Sequence, residues 1–183
     1  MFTIAQEKLP TAQYLKTEFF FIMSNYGYSS PTAKTSGLIV EDPLIQDGKI
    51  MKHQKRFGDF LLVFTDRWWN GGGQSTFHLQ NIVGQQILLW SMTYSGSYNK
   101  IAIPTLMGAL RTTYNAREFC GGRGPNMYPS DDKTMTYFNT YDGDFSHFSA
   151  NEKILGKVGE EQRLLGGHYC WGGLHTLTVS QKY

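Results

Sequence analysis

The chain has 183 residues, with 17 Lys and Arg against 15 Asp and Glu, for a net charge of +2 and a pI near 8.5. A balance that mild lacks the concentrated basic face of a nucleic-acid binder, so DNA and RNA are not indicated as partners. At this length one domain over residues 1–183 buries roughly 70% of its unfolded surface, and 12 Phe, 11 Tyr, 4 Trp and 20 Gly favour sheets joined by tight turns over a helical bundle, so the expected class is a β-rich α+β domain.

In chain order, Met1 to Pro10 carry Glu7 and Lys8 and no apolar signal region, and the longest apolar run, Phe19 to Met23, is far short of a membrane span. No membrane partner is expected, and a cytoplasmic location is the default. Leu15, Phe19, Ile22, Met23 and Tyr26 fall at helical spacing, with Thr11 at the start and Gly27 at the stop. Residues 28–48 are rich in Ser, Thr, Pro and Gly and read as a mobile loop or lid with one short strand near Leu38 to Val40. Lys49 to Arg56 is a basic run, either an edge strand guarded by lysines or an anion-binding face. A strand follows from Phe60 to Thr65, then a hairpin at Asn70-Gly71. Leu88 to Tyr94 alternate so that Trp90, Met92 and Tyr94 share a strand face. Pro104 opens a second helix that turns Leu106, Ala109, Leu110 and Thr113 one way. Cys120 to Pro129 must be a loop, strand signals return at Met135 to Tyr137, Asp142-Gly143 predicts another hairpin, and Leu174 to Val179 reads as a last strand.

Two stretches share an unusual order of glycines and aromatics. Trp69-Asn70-Gly71-Gly72, Phe77, Asn81, Val83 and Trp90 to Gly96 are matched by Tyr141-Asp142-Gly143-Asp144, Phe148, Glu152, Ile154 and His168 to Gly173. The pattern predicts two related antiparallel β-units, about 60–96 and 135–173, with two packing helices and a cleft between the halves.

The series Asp66-x-Trp-Trp-x-Gly, Phe77, Trp90-x-Met-x-Tyr-x-Gly, Arg123-Gly-Pro, Tyr141-x-Gly-Asp, Phe148-x-x-x-Glu-x-Ile and Gly172-Gly173 resembles an uncharacterised bacterial domain-of-unknown-function family, found alone or attached to helix-turn-helix regulators. The resemblance spans roughly Leu15 to Leu174. It departs at Phe77-His-Leu-Gln-Asn81, where the family pattern carries a carboxylate. It implies the fold unit and, through the regulator association, a sensing role, although no helix-turn-helix segment is apparent in this chain.

The candidate chemistry lies in three places. In Cys120-Gly121-Gly122-Arg123-Gly124-Pro125, Gly122 and Gly124 could let backbone N–H groups meet an anion while Arg123 binds it; the alternative is a tight crossover with Arg123 tied to a carboxylate. Glu152, in a Phe/Ile frame where an unpaired charge is costly, is either a ligand acceptor or the salt-bridge partner of an arginine such as Arg123. Asp142 and Asp144 read as turn residues or, with Glu152 and His147, as acid–base groups. Trp69 and Tyr141, beside turn glycines at matching places, could stack a planar ligand. His168 and His175 with Cys170 complete no zinc-like set, so no metal or cofactor is expected, and Cys120 and Cys170 read as reduced thiols. The expected function is non-catalytic binding, sequestration or sensing of a small polar, anionic and nucleotide-like ligand, phosphate-bearing for instance, by Arg123, Gly122, Gly124, Trp69, Tyr141 and Glu152. A hydrolase or transferase using Glu152 or Asp144 as base with His147 is the alternative, and a protein-interaction module a third; a homo-oligomer is left open.

Overall fold

The computed structural model describes residues 4, 8–33, 35, 37–159 and 161–175. Helix α1 (Ala12–Asn25) starts where the hydroxyl of Thr11 accepts from the Tyr14 amide at 3.2 Å, and its periodic apolar set puts Leu15, Phe19, Ile22 and Met23 in the core. Helix α2 (Ile103–Ala116) carries Pro104 in its first turn and stops at Arg117, whose φ of 57° takes the chain out of the helix.

Among the described residues nine strands, β1 (Ile39–Glu41), β2 (Lys49–Phe57), β3 (Phe60–Trp69), β4 (Gly72–Gln80), β5 (Gln86–Tyr98), β6 (Met127–Pro129), β7 (Met135–Asp144), β8 (His147–Val158) and β9 (Glu161–Leu174), form one antiparallel sheet in the order β1-β2-β3-β4-β5-β9-β8-β7-β6. Two meanders therefore lie side by side, with α2 between them in sequence and the β5–β9 pairing joining them in space. Both helices pack on one face. There Phe19 meets Phe64, Trp90, Phe145 and Tyr114, with ring centroids 5.4–6.1 Å apart. No described helix is long and apolar enough to cross a membrane.

The glycine-and-aromatic closings at Trp90 to Gly96 and His168 to Gly173 are these two joining strands, paired Trp90 to Leu174 and Gly96 to His168. Their glycines serve close backbone approach. A Cβ on Gly96, which has φ +139°, would lie 2.1 Å from the Gly167 carbonyl, and one on Gly172 would lie 2.2 Å from that of Ser91.

Several expectations need correction. Asp142-Gly143 is not the hairpin turn: both residues belong to β7, and the chain turns at Phe145-Ser146. Phe145 is drawn into the core, stacked on Trp90 at 4.8 Å with its carbonyl accepting the Trp90 indole N–H at 2.9 Å, which moves the turn beyond the glycine. Phe77 and Phe148 are both buried, but Asn81 and Glu152 have unlike settings. Asn81 lies past the end of β4 and caps its turn by accepting from the Val83 and Gln85 amides, so it does not replace a buried carboxylate. Within 28–48, the Ser29 carbonyl accepts from Arg111 at 3.0 Å and the buried Asp42 carboxylate meets Arg67 at 3.2 Å. The basic run is β2, and it is not the edge of the sheet: β1 pairs with its Lys49–Met51 end, and Lys49 pairs with Glu41 of β1 and Lys55 with Glu18 of α1. The tail expected as a strand ends β9 at Leu174, and positions 176–179 lie outside the described residues.

Replacing Gly96 with alanine adds a methyl into a backbone carbonyl at a φ that L residues avoid. Gly96→Ala is expected to cost ~2–3 kcal/mol, at the upper end for single substitutions, read as a lower urea midpoint with unchanged slope.

Candidate functional site

Strand period places the site's polar groups. On β3 the residues Leu62, Phe64, Asp66 and Trp68 share the face towards the helices, so Asp66 is carried inside by its apolar neighbours and is 2% exposed. The same parity turns Ser75 of β4, Met92, Tyr94 and Tyr98 of β5 and His168 of β9 inward. These side chains floor a cavity of about 170 Å³, roofed by Leu106, Leu110 and Tyr114 of α2 with Met23 and Tyr28, and reached at the surface by Trp69 and the Asn70-Gly71 hairpin. Arg123 enters the same cavity from the loop after α2.

That loop is pressed against the sheet. A Cβ on Gly122 would lie 2.5 Å from the Met92 sulfur and one on Gly124 2.6 Å from the Tyr137 ring. Asn139 pins it by donating to the carbonyls of Cys120 and Gly124, both at 2.8 Å. The Gly124 amide donates to the Tyr137 hydroxyl at 3.1 Å, and the Gly122 carbonyl accepts from Tyr114 at 3.3 Å. Gly122 and Gly124 therefore make a packed crossover rather than an anion nest, and neither lines the cavity.

Arg123 is 6% exposed and Glu152 has no solvent contact. Arg123 donates through Nε at 3.1 Å and Nη2 at 2.9 Å to one Glu152 oxygen, which also lies 3.0 Å from His168 Nδ1; the other oxygen accepts from the Tyr137 hydroxyl at 2.5 Å. His168 Nδ1 also lies 3.3 Å from Arg123 Nη2; a proton on Nδ1 shared with the nearer carboxylate leaves the Nε2 lone pair when the ring is neutral. The guanidinium lies 4.4 Å over the Tyr94 ring. Burial alone would raise the Glu152 pKa, but Arg123, His168 and Tyr137 outweigh it and bring it to about 2. At Asp66 burial wins: the hydrogen bond from Ser75 at 2.8 Å and the charge of Arg123 oppose it only in part, and the pKa rises to about 6. The Tyr98 hydroxyl is buried, and burial and the nearby Glu152 charge raise its pKa; its ring meets His168 edge-on at 4.8 Å.

Of the residues expected to form a site, Arg123 and Trp69 reach the cavity and Glu152 sits directly behind Arg123. Tyr141 does not reach it: it is 41% exposed and lies by Gly121 at a separate surface dip. Asp144 is exposed and accepts the Ser146 amide at 2.7 Å, which is turn chemistry. His147 is exposed too. It stands on β8 with Glu152, and a separation of five residues puts the two on opposite faces about 16 Å apart. His168, not His147, is the histidine that pairs with Glu152. Burial pushes up the thiol pKa of both Cys120 and Cys170, away from nucleophilic character. Among the described residues no three His, Cys or carboxylate side chains converge to hold a metal ion. Asp66 was the residue missed; its signal is a charge in phase with Leu62 and Phe64 along an apolar strand.

The two buried carboxyls act oppositely on stability. The raised Asp66 pKa makes the folded chain bind that proton more tightly, so stability falls as pH rises from 3.8 to about 6, and the penalty of ~3 kcal/mol persists above. Glu152 contributes stability above 4.5 that is lost as pH falls towards about 2. At neutral pH Asp66→Asn is expected to stabilise by ~1–3 kcal/mol and to flatten the upper interval. Glu152→Gln, which strands a buried guanidinium, should destabilise by ~3–5 kcal/mol; urea titrations across the pH range check both. No family model matches the chain, and no curated protein or solved structure matches it either.

Proposed function

We propose that this protein binds a small organic molecule in the cavity between the sheet and α2, without transforming it, as a capture or sensing module. One observation carries this: Asp66, Arg123 and His168 all face a cavity whose other large side chains are Trp, Tyr, Met, Leu and Ile, a placement that costs folding energy and that packing does not require. The likeness to a family attached to helix-turn-helix regulators is in keeping with sensing. The stretches of about 60–96 and 135–173 are read as related β-units, and the cavity draws on both through the β5–β9 seam.

The geometry refines the ligand. A cavity of about 170 Å³ is close to the ~150 Å³ that holds one benzene-sized ring and below the ~300 Å³ of drug-sized pockets, so the ligand, or the part of it that enters, is smaller than a nucleotide. A second reading, proton-transfer catalysis with His168 Nε2 as base, rests on the Glu152–His168 pair beside the cavity.

A thermal-shift screen of small ring compounds, with mass spectrometry of each hit, tests both. A compound at ~100 times its Kd should stabilise by ~2.7 kcal/mol, and Leu106→Phe, which fills the cavity from α2, should abolish that shift while the fold survives. Hits recovered unchanged support capture, and hits recovered as product support catalysis. Shifts that persist in Leu106→Phe would place binding elsewhere and overturn the proposal.

A further inference from the structure

The charge on the cavity wall depends on which ionic groups already have partners. Arg123 has one: its Nε and Nη2 both lie on Glu152. Glu152 is itself held by Tyr137 and His168 and has no solvent contact, so an incoming anion would share a cation that this carboxylate already neutralises. The guanidinium also lies over the Tyr94 ring. An anionic ligand would therefore compete with a complete ion pair in a dry interior.

Asp66 has no such cation of its own. Its hydrogen-bond donor is a neutral hydroxyl, Ser75, with a further favourable effect from the Tyr94 hydroxyl, and it forms no ion pair among the described residues. Two carboxylates, Asp66 and Glu152, stand against one guanidinium, so with the His168 ring neutral one negative charge is in excess when Asp66 is ionised. The same cavity is lined by the rings of Tyr28, Trp68, Trp69, Tyr94 and Tyr98. Aromatic faces attract cations, and a desolvated carboxylate attracts them more strongly.

Resting on the cavity-binding reading above, we infer that the ligand is a small organic amine, whose ammonium group neutralises Asp66 and whose apolar body lies among the aromatic and aliphatic side chains of the cavity. The arrangement is a cation cage: a carboxylate gives charge, ring faces give further attraction, and Met92, Leu106 and Leu110 bury the carbon skeleton. This reverses the sequence expectation of an anionic ligand, because the arginine that suggested one is already neutralised.

The test uses three probes of nearly equal size and different charge, benzylamine, benzyl alcohol and benzoate, titrated calorimetrically into the full chain at neutral pH. Benzylamine is expected to bind at least ~10-fold more tightly than benzyl alcohol, and benzoate more weakly than either. In Asp66→Asn the advantage of benzylamine should vanish while benzyl alcohol keeps its affinity within ~3-fold. Benzoate binding more tightly than benzylamine would overturn the inference and leave cavity binding standing. So would an amine preference that survives in Asp66→Asn. Failure of all three probes, benzyl alcohol included, would overturn both. The order of the probes on the unmodified chain decides the matter even if the variant does not fold.

Discussion

Glu152 sits at the centre of the second half of the sheet, out of reach of water, and each side chain that makes its charge tolerable comes from a different segment. Arg123 arrives from the loop after α2, Tyr137 from β7 and His168 from β9. A buried carboxylate without such partners would be too costly to keep, and a buried guanidinium without the carboxylate equally so. Each therefore fixes the other. The loop must come down close enough to deliver Arg123, which is why Gly122 and Gly124 stand where side chains would collide with Met92 and Tyr137. Asn139 and Tyr137 then use the loop's own backbone groups as hydrogen-bond partners.

The knot also shapes the cavity. With Arg123 held on Glu152 and stacked on Tyr94, one wall is rigid and nearly neutral, and His168 is oriented by the same carboxylate. The excess charge is left on Asp66, across the β5–β9 seam in the other half of the sheet. The glycines of that seam bring the strands into contact and set His168 beside Tyr94 and Tyr98. Opposite pKa shifts in two buried carboxyls express this division. Glu152 is satisfied and strongly acidic, whereas Asp66 is desolvated and only partly compensated. Groups that differ in this way mark where a structure has kept a charge it does not need for folding.

Both helices were legible because their apolar residues recur at helical spacing between a capping threonine or first-turn proline and a stop. The strands were legible wherever one face is buried and the other wet, as from Phe60 and from Leu88. The pairing of Glu152 with an arginine such as Arg123 was one of two readings, since a charge in an apolar frame demands a partner. The turn at Phe145-Ser146 was not legible, because it depends on Trp90, 55 residues earlier in the chain, drawing Phe145 inward. Asp66 was overlooked although its parity with Phe64 was visible, because a single carboxylate in a strand has no local signature of a site.

By itself the sequence determined the β-rich class and the two helices, and it marked Glu152 as a charge in an apolar frame, since these follow from periodicity and the cost of burying charge. Only the tertiary structure decided that the two glycine-rich strands pair with each other, that His168 rather than His147 meets Glu152, that Tyr141 and Asp144 stand outside, and that Asp66 is the charge left facing the cavity. Those outcomes depend on strand register and order, and a shift of one residue in register would turn every one of these side chains to the other face.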